Sequence, residues 1–137
     1  MASYRHLYVH CVWGTWDRLP LITPVIAPPL YAGLMAKCRA LGCVPMVIGG
    51  MPDHVHMLIE FSATITIARL IGEIKGASSH LMTHAIAPST PFKWQGSYGA
   101  FTLSKRSVPQ IQRYIENQKH HHADGTTLFD LETMTDE

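Results

Sequence analysis

The sequence has few cysteines and no CxxC pair that would suggest a zinc or redox site. Its three cysteines, Cys11, Cys38 and Cys43, are odd in number and widely spaced, which argues against a disulfide framework and favours reduced thiols. No apolar run approaches the roughly 18 residues that a bilayer-spanning helix needs, and the first residues lack the apolar segment of a signal peptide. These absences predict a cytoplasmic protein outside the membrane.

The sequence also lacks a strong excess of charge of either sign. Its formal net charge is +1, and charged residues make up 15% of the chain whereas apolar residues make up 47%. This composition excludes a disordered chain and is typical of a single globular domain, here residues 1–137. A near-neutral charge does not indicate a nucleic-acid-binding protein, but it is compatible with a local basic patch.

The most informative segment is MPDHVHMLIEF at residues 51–61, which places His54 and His56 two residues apart in a run of strand-forming residues. Alternate side chains of a strand point to the same face. Both imidazoles would therefore lie on one face of the strand, with Val55 and Met57 on the core face. Neighbouring imidazoles can bind a divalent metal. The spacing alone leaves open the alternative of two structural histidines with hydrogen-bond partners.

Hydrophobic periodicity predicts the order strand, helix, strand, strand, helix, strand, helix. This order is typical of an α+β fold, a ferredoxin-like antiparallel sheet with helices packed on one face, to which a C-terminal helix is added. We expect that last helix over residues 108–121, with Ser107 and Gln110 as a capping box. The ordered core would span about residues 4–122, and the polar, acidic tail of residues 123–137 shows no periodic pattern.

The added helix carries Tyr114 and Gln118, which lie four residues apart and therefore on the same helical face. The phenol could be a nucleophile, and the amide oxygen could be a further ligand for a divalent metal. A tyrosine in such a place more often packs in the core, and the spacing does not exclude that alternative.

Three segments resemble, in the same order, the signature blocks of the single-tyrosine HUH transposases. These are the TnpA-type transposases of small bacterial insertion sequences, or the IS200-like superfamily. The segments are MPDHVHMLIE at 51–60, WQGSYGAF at 94–101 and YIENQ at 114–118. The histidine pair alone is not specific, whereas the three blocks in this order and spacing are. The resemblance covers about residues 4–122.

The resemblance implies an enzyme that cleaves and rejoins single-stranded DNA at the hairpin-bearing ends of an insertion sequence. It implies that Tyr114 is the nucleophile and forms a covalent 5′-phosphotyrosine. It implies that His54, His56 and Gln118 bind the metal, for which Mg²⁺ fits the chemistry and Mn²⁺ could substitute. It also implies a homodimer in which the tyrosine helix of one subunit completes the site of the other in trans.

Two other functions remain open alongside the transposase. One is a domesticated HUH nuclease that acts on repeated hairpin sequences as a monomer, and the other is a catalytically silent repressor that binds hairpins. In all three cases, basic side chains would contact the DNA backbone, although each could also be a solvated surface charge. The candidates are Arg5, Arg18, Lys75, Lys105, Arg106 and Arg113.

Other polar residues near these motifs are interpreted as structural. Asp53 is expected to be a turn residue rather than a base. His10 is expected to be a strand histidine with hydrogen-bond partners, and the alternative that it lines the site or contacts DNA stays open. His122 is expected to lie at the end of the last helix, where a cation is favourable. Glu60 faces the same side as His56, but it lies about 13 Å further along the strand, too far to share a metal.

Overall fold

A four-stranded antiparallel sheet organises the computed structural model, which describes residues 4–125 and 127–134. Its strands are β1 (Tyr8–Gly14), β2 (Val44–Met51), β3 (His54–Glu60) and β4 (Gly99–Leu103). They lie side by side in the order β2-β3-β1-β4. The central strands β1 and β3 are buried along almost their whole length, because helices or the C-terminal residues cover both faces of the sheet.

Two helices cover one face of the sheet. These are α1 (Ala27–Ala40) and α2 (Ile67–Leu81). Side chains at helical spacing on both pack against alternate residues of β1 and β3 to form the main core. The residues that β3 contributes are Val55, Met57 and Ile59. The odd-numbered residues of β3 are therefore used for the core, and the even-numbered ones, including both histidines, face the other side.

Three further helices lie on the opposite face, called here the site face. They are α3 (Val108–Glu116), α4 (Gln118–Asp124) and the short α5 (Phe129–Glu132). A second apolar cluster joins α3 to the sheet and consists of Tyr8, Leu58, Val108, Ile111 and Ile115. A Cβ atom at Gly49 of β2 would collide with the backbone carbonyl oxygen of Ile115. Only glycine therefore permits this close approach of α3 to the sheet.

The α+β fold predicted from the sequence is confirmed, with the ferredoxin-like sheet, helices on one face and the added C-terminal helix. Three details differ. The helix predicted over 108–121 is interrupted at Asn117. The capping box is absent, because Ser107 itself has helical backbone angles and its side chain makes no capping hydrogen bond. The tail includes a short helix, α5, that periodicity did not predict.

None of the helices in the described part of the chain combines the length and the apolar composition that a bilayer crossing requires.

Candidate active site

The two histidines of β3 form the centre of the site face. His54 and His56 are 1% and 0% exposed, and their ring centroids lie 5.1 Å apart. Both rings project away from the main core, as strand alternation predicts. Two fully buried imidazoles on one side of a strand require specific polar partners, since unpaired buried polar groups are costly.

Each histidine has a partner at its Nδ1 atom that orients the ring. His54 Nδ1 lies 2.8 Å from Asp53 Oδ1, and His56 Nδ1 lies 2.8 Å from Nε2 of His10 on β1. Arg18 approaches the same corner, with Nε 3.1 Å from Asp53 Oδ2. Contacts of this kind behind a histidine hold it in position for metal binding. Asp53 and His10 therefore position the pair, a role that the sequence did not indicate for Asp53 and allowed only as an alternative, lining of the site, for His10.

The tyrosine and the glutamine predicted on the last helix reach the histidine pair within the same chain. The Tyr114 ring lies 6.1 Å from the His56 ring and is 5% exposed. Gln118 Oε1 lies 3.3 Å from His54 Nε2. The two remain one turn apart although Asn117 separates α3 from α4. The structure thus brings all four predicted site residues together in cis, and the arrangement in trans stays a prediction.

The tyrosine hydroxyl has its own contact with the C-terminal residues. Tyr114 Oη accepts a hydrogen bond of 2.9 Å from the backbone N–H of Leu128. The Tyr114 ring also stacks on His121, at 4.6 Å between centroids. The phenol is therefore held on two sides in the orientation that faces His56.

A carboxylate that the sequence did not point to also enters the site. Glu132 of α5 places Oε2 2.7 Å from His56 Nε2 and Oε1 3.4 Å from His54 Nε2. Its Oε1 lies 2.9 Å from His122 Nε2, which is also 3.1 Å from Gln118 Oε1. The acidic tail and the end of the last helix thus contribute to the site. No sequence pattern gave that signal, because a four-residue helix is too short to show a period.

Burial and neighbouring charges affect the protonation of these groups differently. Burial opposes a charge on His54, but the carboxylates of Asp53 and Glu132 raise its pKa to about 9. Burial lowers the pKa of His56. Burial also raises the pKa of the Tyr114 hydroxyl. The phenol is therefore neutral at pH 7, and it must be activated before it can act as a nucleophile.

The donor atoms at the centre of the site fit a divalent metal. One atom each from His54, His56 and Glu132 lie within 4.8 Å of one another, and Gln118 Oε1 lies beside them. His56 Nε2 and Glu132 Oε2 are both buried and lie 2.7 Å apart as an ion pair, but within the described residues neither makes a hydrogen bond of acceptable geometry. Buried donor atoms that converge without well-formed hydrogen bonds are typical of a metal site.

The six basic residues proposed to contact DNA lie in different environments. Arg18 is exposed and contacts the site, with Nη2 3.3 Å from His54 Nδ1. Lys75 is half-buried, and its Nζ donates hydrogen bonds to the backbone carbonyls of Gln95 and Ser97. Lys75 thus supports the loop before β4, which the sequence did not predict. The remaining four are exposed: Arg5, Lys105, Arg106 and Arg113.

Comparisons with known proteins find similarity to transposases. The family model described as Transposase IS200 like matches residues 3–118. The ISDra2 transposase TnpA of Deinococcus radiodurans is 30% identical over 117 residues, which are 82% of this chain and 84% of the relative.

Two solved structures are similar in fold. One is a candidate transposase from Deinococcus radiodurans R1, with 29% identity and a TM-score of 0.70 over 86% of this chain and 95% of that chain. The other is a REP-associated tyrosine transposase bound to a REP hairpin, with a TM-score of 0.65 over 93% of this chain and 76% of that one. At 13% identity, this second similarity supports the fold alone.

Proposed function

Because the chain belongs to the family of IS200-like transposases, we propose that it cleaves and rejoins single-stranded DNA at the hairpin-bearing ends of an insertion sequence. The observation that carries this proposal is the meeting of Tyr114 from α3 with the histidine pair of β3, at 6.1 Å between the Tyr114 and His56 rings. A buried tyrosine could fill the core without facing two buried imidazoles, so the placement supports a chemical role.

In the proposed reaction, Tyr114 Oη attacks the scissile phosphorus and loses its proton as the O–P bond forms. The 3′ oxygen of the preceding nucleotide leaves and takes up a proton, which gives a 5′-phosphotyrosine and a free 3′-hydroxyl. Rejoining runs the same steps in reverse, with a 3′-hydroxyl as the nucleophile. The phosphodiester energy is retained in the O–P bond, so no nucleotide cofactor is needed.

We assign His54, His56 and Gln118 as residues that hold the divalent metal, with Asp53 and His10 holding the two rings behind them. When bound, an ion such as Mg²⁺, or Mn²⁺ in its place, neutralises charge on a non-bridging phosphate oxygen. Arg18 at the edge of the site is positioned to contact a DNA phosphate. The other exposed basic residues remain proposed backbone contacts.

We further propose a homodimer in which the α3 helices are exchanged. Domain swapping replaces a contact within a chain by the identical contact between two chains. The second apolar cluster, which joins α3 to the sheet, could therefore form equally well with the sheet of a partner. The single 3-10 turn Lys105–Ser107, exposed at Lys105 and Arg106, precedes α3 and is where the chain would cross.

The second candidate is the monomeric nuclease that acts on repeated hairpins. The specific observation in its favour is that one chain already brings Tyr114, Gln118 and the histidine pair together. The two candidates share their chemistry and differ in which chain supplies the tyrosine.

Formation of the covalent adduct tests the proposed chemistry. The wild-type chain with Mn²⁺ and a labelled single-stranded hairpin substrate should give a denaturation-resistant protein–DNA adduct that maps to Tyr114. The Tyr114→Phe variant should bind the hairpin but form no adduct. Tyr98→Phe, a change at an exposed tyrosine, is the matched control and should react as wild type.

A linear duplex of the same sequence should bind more weakly than the hairpin, because the bases to be recognised are unpaired only in the single strand. Binding without any adduct would instead identify the silent repressor. An adduct mapped to another tyrosine would contradict the assignment of the nucleophile.

A further inference from the structure

We propose that Glu132 is a further ligand of the metal held by His54 and His56, supplied by the C-terminal segment of residues 127–134. The inference rests on the proposed function in one respect, because it requires a metal at the histidine pair. It extends that function by making metal binding depend on a segment beyond the residues that match the family, 3–118.

The separations between the donor atoms fit ligands of one ion. In octahedral coordination at about 2.1 Å, neighbouring ligand atoms lie about 3 Å apart. The observed separations are 2.7 Å from Glu132 Oε2 to His56 Nε2 and 3.4 Å from Glu132 Oε1 to His54 Nε2. Gln118 Oε1 lies 3.3 Å from His54 Nε2. Each of these values is within about half an ångström of that spacing, and one donor atom each from His54, His56 and Glu132 lie within 4.8 Å of one another.

The carboxylate is held in place by its surroundings. His122 Nε2 lies 2.9 Å from Glu132 Oε1, and the Glu132 side chain is only 17% exposed. The residues just before Glu132 also fix the segment: the Leu128 N–H donates a hydrogen bond to Tyr114 Oη, and Leu131 packs against the second apolar cluster. A Cβ atom at Gly99 would collide with the carbonyl oxygen of Thr133, so β4 is shaped to receive this segment.

A carboxylate changes what the site prefers to bind. Two imidazoles and an amide are neutral ligands, and nitrogen donors alone do not favour a hard cation. An anionic oxygen is a ligand that Mg²⁺ and Mn²⁺ prefer, and it lowers the net charge of the loaded site by one. We therefore expect Glu132 to raise the affinity for these ions in the absence of DNA.

The test is Mn²⁺ titration of the full chain without DNA, by calorimetry and by electron paramagnetic resonance of the free ion. Removal of residues that only support a ligand already weakens metal binding by about 10- to 100-fold. Glu132→Gln replaces the anionic oxygen by a neutral amide oxygen, a weaker ligand for these ions, and should weaken Mn²⁺ binding by at least about tenfold. Glu116→Gln, a change at an exposed carboxylate of α3, is the matched control and should bind within about twofold of wild type.

The histidine variant separates failure of this inference from failure of the proposed function. If His56→Ala loses Mn²⁺ binding while Glu132→Gln binds as wild type, the ligand assignment of Glu132 is overturned and the proposed function stands. If His56→Ala binds Mn²⁺ as wild type, the metal site itself is wrong. If Glu132→Gln binds hairpin DNA more tightly at unchanged Mn²⁺ affinity, the carboxylate only excludes the DNA phosphate, and the ligand assignment is again overturned.

Discussion

At the residue scale, the orientation of the two imidazoles depends on the atoms behind them. His10 and Asp53 each occupy an Nδ1 position, so the Nε2 atoms are the ones directed at the centre of the site. Burial, together with the neighbouring His56, lowers the pKa of His10 to about 3. His10 is therefore neutral at physiological pH, and it can share a proton with His56 without placing a positive charge beside the proposed metal site.

The proposed ligands should differ in how much their loss costs. His56→Ala should abolish cleavage, because water cannot reproduce an imidazole fixed from behind. Gln118→Ala should retain measurable cleavage, reduced by about 10- to 100-fold, because water can replace a neutral amide oxygen. Single-turnover cleavage of the hairpin at saturating Mn²⁺ measures the loss of rate in both variants. His120→Ala, a change at an exposed histidine, is the control and should cleave as wild type. Equal losses in the two site variants would contradict this ranking.

The sequence indicated the residues whose geometry follows from local periodicity. His54 with His56, and Tyr114 with Gln118, each share a face by the period of a strand or of a helix. Strands β1 and β3 pair in a register that places Val12 opposite His56. His10 lies two residues along β1 from Val12, on the same face, and therefore contacts His56 diagonally. A single sequence does not give that register. Glu132 reaches the site only through the docking of the C-terminal segment, which depends on tertiary contacts.

At the scale of the elements, the position of α3 on β2 decides where Tyr114, the proposed nucleophile, lies. Asn117 explains why this helix is shorter than predicted. Its side-chain amide donates a hydrogen bond of 2.8 Å to the backbone carbonyl of Arg113. Such a local bond competes with continuation of the helix. The sequence has no proline or glycine next to Asn117, so hydrophobic periodicity alone predicted a helix that continues through this residue.

Substitution at Gly49 should displace α3 and, with it, Tyr114. In Gly49→Ala the added methyl group meets the backbone carbonyl of Ile115, and overpacking of this kind costs about 1–3 kcal/mol of the free energy of unfolding. The rate of cleavage should fall by more than the loss of folded protein explains, because a small shift of a reacting group slows the reaction strongly. Urea denaturation and hairpin cleavage measure the two effects.

The control for that prediction is Gly72→Ala in α2. A Cβ atom there has no neighbour within 4 Å, so the change should stabilise the helix by up to about 1 kcal/mol and leave cleavage unchanged. Wild-type stability and cleavage in Gly49→Ala would show that α3 does not rest on β2 in the active protein.

At the scale of the whole molecule, the question is which chain supplies the tyrosine. We expect Tyr114→Phe and His56→Ala proteins to be inactive alone and to regain cleavage when their subunits are exchanged, since the proposed swap gives one intact hybrid site. Random exchange between equal amounts of the two variants makes about half of the dimers hybrid, and each hybrid has one intact site of its two. About a quarter of wild-type activity is therefore the upper limit. Mass labelling verifies that the subunits have exchanged. Zero cleavage after verified exchange would place the site in cis and favour the monomeric nuclease.

The bond between the Leu128 N–H and the Tyr114 hydroxyl has a consequence for how the site can be observed. A protected amide proton exchanges with solvent deuterium only when its hydrogen bond opens. The Leu128 amide therefore records how often the C-terminal segment releases the Tyr114 hydroxyl before any substrate is bound. The same N–H favours the phenolate, since its contact lowers the Tyr114 pKa against the larger opposing effect of burial. One backbone proton thus reports on the availability of the Tyr114 oxygen and, in the proposed reaction, helps to activate it.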